Sequence, residues 1–159
     1  MHQRLLTGLV CLPILFVTTW RGNFWFLSAV TVCAIIATSE FQKMTLLKTH
    51  HKPRVIVITW TIALLLVGQY SVGITQFLYI SLITIMLGMF VTLLWAIIFS
   101  EKRAIYRTWL ITSLGAIYIG FCLSHALALR NFGVEGDLGR DWILFSLILI
   151  FTSDTGAYI

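Results

Sequence analysis

Six apolar runs, parted by short polar or charged segments, decide what this chain can become: residues 5–20, 23–39, 55–70, 77–99, 109–129 and 142–159. Hydrocarbon offers no water to satisfy a peptide N–H or C=O, so such runs are stable only as helices that bond their own backbone. A helix rises about 1.5 Å per residue, and roughly 20 residues cross a hydrocarbon core about 30 Å thick. The expected fold class is therefore all-α, a polytopic transmembrane helical bundle of about six spans forming a single membrane domain. Composition agrees, with 59% hydrophobic and 11% charged residues against about 25% charged in a soluble domain.

The first two runs are short, which suits a tight hairpin turning at Arg21-Gly22-Asn23, with Trp20 and Trp25 as interfacial aromatics. Pro13 is expected to kink the first run. That run imitates a signal peptide, but no small-x-small cleavage site follows it, so it reads as an uncleaved span. Glu40 opens a polar segment with Lys43, Lys48, His50, His51, Lys52, Pro53 and Arg54, and Ser100 opens another with Lys102, Arg103 and Arg107.

Arg4 and these seven Lys and Arg residues account for eight of the eleven in the chain, leaving Arg21, Arg130 and Arg140 for the opposite side. By the positive-inside rule both termini lie in the cytoplasm of an inner or plasma membrane. The same clustering between apolar runs argues against nucleic acid, despite a formal charge of +5. Anionic headgroups or nucleotide phosphates are alternative partners for the basic segments.

Smaller features have plainer readings. Cys11, Cys33 and Cys122 lack metal spacing and read as buried hydrophobes. The adjacent His50 and His51 diverge by about 100° on a helix, which disfavours shared ligation. Gly115 and Gly120 predict close helix packing, and His125 a hydrogen-bonded structural role over a proton carrier.

The last run ends in Ser153-Asp154-Thr155-Gly156-Ala157-Tyr158-Ile159. On a helix starting at Asp141, Asp154 lies roughly 20 Å along the axis. A carboxylate at that depth costs about 2.5 kcal/mol or more, and such groups face a watery cavity, a cation or a partner charge. Asp154 is the leading functional candidate, with the hydroxyls of Ser153, Thr155 and Tyr158 around it and Gly156 allowing close approach. A helix cap is the plainer alternative.

Four segments, in order, resemble the phosphatidate cytidylyltransferase family, also called CDP-diacylglycerol synthase. They are Gln3-Arg4-Leu5-Leu6-Thr7-Gly8 running to Leu12-Pro13, the pair Glu40-Phe41, Tyr118-Ile119-Gly120 through Leu127-Ala128-Leu129-Arg130, and Asp154-Thr155-Gly156-Ala157-Tyr158. The last is the specific one. Members continue into Lys-Asp, His-Gly-Gly and Asp-Arg-x-Asp elements that this chain lacks, so it is expected to be an inactive N-terminal fragment.

The resemblance implies an enzyme that joins CTP to phosphatidic acid with Mg²⁺ in the lipid bilayer, yielding CDP-diacylglycerol and pyrophosphate. It implies a catalytic, metal-binding Asp154 and substrate-binding Ser153, Thr155, Gly156 and Tyr158. A homodimer stays open. The competing classes are a transporter or ion-pathway protein that uses Asp154 as an intramembrane cation site, and a non-catalytic subunit pairing Asp154 with a partner cation. The charge distribution predicts that a cysteine at Lys48 is protected from an impermeant thiol reagent in intact cells. Labelling from outside would reverse the topology.

Overall fold

The computed structural model describes residues 13–45, 53–100, 102, 104–131 and 137–156, without the side chains of Asn23, Asp137, Asp154 and Thr155. Among them six helices and no strand occur: α1 (13–21), α2 (Asn23–Thr45), α3 (Arg54–Tyr70), α4 (Ile74–Phe99), α5 (Ile105–Arg130) and α6 (Asp137–Gly156). Phe24–Thr45 of α2, α4 and α5 are long and apolar enough to cross a membrane, and α3 is a shorter apolar helix. The protein is an all-α, polytopic membrane protein. The turn before Pro13 lies outside the described residues.

Glycine sets the helix ends where the backbone must turn left-handed. Gly22 stops α1 at φ +66°, its N–H bonding the Thr18 carbonyl at 2.9 Å. Gly73 precedes α4 at φ +89°. Pro53 stands before the first turn of α3, where a missing N–H costs nothing.

The polar segment expected from Glu40 onward is helical as far as Thr45, because Glu, Gln, Lys and Met are good helix formers. Arg54 likewise belongs to α3. Cys33 and Cys122 are free and exposed instead of buried. Apolar residues in a membrane helix need no protein contact when lipid surrounds them, so an apolar neighbourhood in sequence does not mean an interior position. Cys11 lies outside the described residues.

The chain divides into two compact units, one from Met1–Ala29 with Leu129–Ile159 and one from Val30–Ala128. In the second, Val57, Trp60 and Leu64 of α3 pack with Ala116 of α5, flanked by Ile85 and Met89 of α4 and Ile117 of α5. The helices approach closely at glycines. A Cβ added at Gly68 would lie 2.3 Å from the Ser124 carbonyl oxygen, and one at Gly88 would lie 1.9 Å from the Trp60 ring. Gly115 faces the Phe41 ring, and Gly120 faces Leu64 and Thr61.

Two indole N–H groups in this interior find backbone partners across helices. Trp60 Nε1 donates to the Thr84 carbonyl at 3.1 Å and Trp109 Nε1 to the Met89 carbonyl at 3.0 Å. The hydroxyls of Thr92 and Ser113 meet at 3.1 Å.

One feature had no signature in the sequence. Ile117–Phe121 winds as a π-helical turn inside α5. The Phe121 carbonyl accepts both the Ser124 hydroxyl at 2.7 Å and the His125 Nδ1–H at 2.7 Å. The imidazole stands edge-on to Phe77 and Phe121. His125 is thus the hydrogen-bonded structural residue that its position suggests.

The contact at Gly68 is backbone against backbone, which no rotamer change relieves. Gly68→Ala is therefore expected to cost about 1–3 kcal/mol, read as a lower melting temperature of the purified protein in detergent. An unchanged melting temperature would show that α3 and α5 can separate at no cost.

Candidate functional site

The motif residues ride on the end of α6, and the other end of that helix is anchored. A Cβ added at Gly139 would lie 2.3 Å and 2.5 Å from the carbonyl oxygens of Leu129 and Arg130, so the first turn of α6 packs directly on the end of α5. The start of one helix thereby meets the carbonyls that close another.

Arg130 extends the anchor. Its Nε donates to the Thr19 carbonyl at 3.1 Å, in the last turn of α1, where a cation complements the helix dipole. Its guanidinium occupies the space that any side chain at Gly22 would need. Arg140 stacks 4.7 Å from the Trp20 ring and bonds Asp141 at 3.1 Å, while Arg21 lies 5.5 Å from the Trp25 ring. Trp20 and Trp25 are both exposed. The three arginines expected on one side of the membrane thus serve as local fasteners.

Because α6 begins at Asp137 and not at Asp141, Asp154 stands seventeen residues along it, about 25 Å from its start. It lies in the last turn, and that turn carries no basic residue. A carboxylate there meets the partial negative charge of the final carbonyls and is stabilised by a cation. Ser153 is exposed, and a Cβ added at Gly156 would meet nothing within 4 Å. The position of that glycine is open and not tightly packed.

Consecutive helical positions fan out by about 100°, so Ser153 and Gly156, three apart, share a face. The side chains of Asp154 and Thr155, and Tyr158 altogether, lie outside the described residues. Over the preceding turns of α6, Leu144, Leu147, Ile148, Phe151 and Thr152 join Leu15 and Phe16 around a largely apolar groove of about 240 Å³. Among the described residues no three His, Cys, Asp or Glu side chains form a metal-binding group.

The second candidate feature is basic. In the Val30–Ala128 unit the end of α2, the start of α3 and the passage from α4 into α5 carry basic residues. Lys43, Arg54, Lys102 and Arg107 are exposed there. Lys48, Lys52 and Arg103, expected in the same set, lie outside the described residues.

A family model for cytidylyltransferases matches residues 2–159. This chain belongs to the cytidylyltransferase family. A phosphatidate cytidylyltransferase of Bacillus subtilis (strain 168) is 28% identical over 162 residues, covering 99% of this chain and 57% of the relative. The chain thus spans a little over half the length of that relative. No solved structure matches it. Membership in this family favours the cytidylyltransferase reading of the chain over the transporter alternative.

Proposed function

We propose that the protein, in its complete form, is a phosphatidate cytidylyltransferase: it transfers the cytidylyl group of CTP to phosphatidic acid, giving CDP-diacylglycerol and pyrophosphate. The observation that carries this reading is the cytidylyltransferase match along nearly all of the chain, with a relative bearing that name aligned over 99% of it. The products define the bond changes. An oxygen of the lipid phosphate bonds the α-phosphorus of CTP as the bond to the β-phosphate breaks, and pyrophosphate carries away the electron pair.

Both substrates are anionic, and one is held in the bilayer. Lys43, Arg54, Lys102 and Arg107 raise the local concentration of both at the face where they lie, which we assign to the cytoplasm on the positive-inside rule. Asp154 holds a cation, and the hydroxyls of Ser153, Thr155 and Tyr158 orient substrate oxygens beside it. Open space at Gly156 leaves the backbone approachable. Magnesium, when bound, supplies the positive charge that offsets the triphosphate and the departing pyrophosphate.

In the complete protein, Asp154→Asn is expected to lower Mg²⁺-dependent incorporation of labelled CTP into lipid by about 10²-fold or more, with unchanged insertion into the membrane. Wild-type turnover in that variant would take Asp154 out of the site.

A further inference from the structure

Two helices of unequal length leave the same turn in the Val30–Ala128 unit. α3 has 17 residues and α4 has 26, which makes them about 25 Å and about 39 Å long. Residues 71–73 join them, so their ends at that turn stand level. Ten residues from the turn on either side, Trp60 Nε1 donates to the Thr84 carbonyl at 3.1 Å, so the two helices stay in step. Arg54, at the other end of α3, therefore comes level with about Phe90. Beyond that level α4 runs on for nine more residues, the difference between 26 and 17, or about 13 Å.

The neighbouring helices carry the same offset. Gly68 meets Ser124, and Gly120 meets Leu64 and Thr61, so α5 runs parallel to α3 and Arg54 falls level with about Leu110. α5 begins several residues before that, at Ile105. Phe41 of α2 rests its ring on Gly115, which keeps Glu40 and Lys43 level with Arg54 or farther from the α4–α5 link. The charged groups at this end thus form two tiers. Glu40, Lys43 and Arg54 are exposed on the deep tier, while Lys102 after α4 and Arg107 in the first turn of α5 are exposed on the shallow one.

Between the tiers α4 is apolar. Leu94, Ile97, Ile98 and Phe99 are exposed there, and α4 contains no Asp, Glu, Lys or Arg. The run 77–99 is about 34 Å long, enough to fill a hydrocarbon core of about 30 Å. A flat boundary that covers this run submerges the deep tier, and charged side chains in hydrocarbon are costly. Lysine and arginine can snorkel along their own stems, but a glutamate is too short to follow them. A flat boundary drawn at Arg54 instead leaves α3 only about 25 Å of hydrocarbon and puts the exposed apolar end of α4 in water.

We infer that the bilayer is stepped around this unit. Beside α2 and α3 the headgroups and water sink about 13 Å deeper than beside α4, and the hydrocarbon thins to match the short helix. The partner is the lipid surface itself, gathered at the deep tier by Lys43 and Arg54. Water and headgroups thereby reach a level about a third of the way along α4, while the lipid on the α4 side keeps its full thickness. The step follows from helix lengths and contacts and is independent of the group that the complete protein transfers.

The test is a depth measurement on the complete protein, freed of its other cysteines and reconstituted in long-chain phosphatidylcholine. Val55→Cys and Leu94→Cys, both at exposed positions, each receive a nitroxide, and collisions with oxygen and with a water-soluble nickel chelate report how deep it lies. Counted from the turn, Leu94 stands about 7 Å nearer the basic end than Val55, so a flat boundary makes Leu94 the shallower label. The step reverses that order, with Val55 shallower by about 6 Å and in more frequent contact with the nickel chelate. If Val55→Cys does not fold, Lys43→Cys carries the same comparison. Leu94 as shallow as its partner label, or shallower, would overturn the step.

Discussion

Helices surrounded by lipid gain little by burying one more methyl group, since hydrocarbon is already their solvent. What holds the Val30–Ala128 unit together is close approach, and close approach depends on having no side chain in the way. Gly68 admits the backbone at Ser124, Gly88 admits the Trp60 indole, and Gly115 and Gly120 admit Phe41 and Leu64. The tight contacts then bring donors within reach of carbonyls on the neighbouring helix, as Trp60 reaches Thr84 and Trp109 reaches Met89. Dispersion and hydrogen bonding replace the expulsion of water as the cohesive forces.

The same economy governs the unit that carries the motif. Gly139 lets the first turn of α6 rest on the last carbonyls of α5, and Gly22 makes room for the Arg130 guanidinium at the end of α1. A long rigid helix fixed at one end delivers its far end to a defined place. Asp154 rides about 25 Å from that fixed point.

The apolar runs made the helical class legible, and the small residues Gly115 and Gly120 revealed their packing role because few other functions put glycine in a hydrophobic helix. His125 was legible as a structural group for a similar reason. Gln42 was not, since it stands in a run of Glu, Gln and Lys that looks like a loop, and only the extension of α2 to Thr45 carries it inside. The Arg130 bond to Thr19 joins residues 111 positions apart, beyond any local pattern. The cysteines misled because hydropathy reports a preference for an apolar environment without saying whether lipid or protein supplies it.

The π-helical turn at Ile117–Phe121 has a geometric consequence of its own. A widened turn accommodates an extra residue, so everything after it is rotated by about 100° relative to an uninterrupted α-helix. Upstream, Gly115 addresses α2, and downstream, Ser124 addresses Gly68 on α3. The bulge works as a phase shifter that lets one helix keep two neighbours in register on different sides. A chain one residue shorter there would keep its hydrophobicity yet dial the second contact out of alignment.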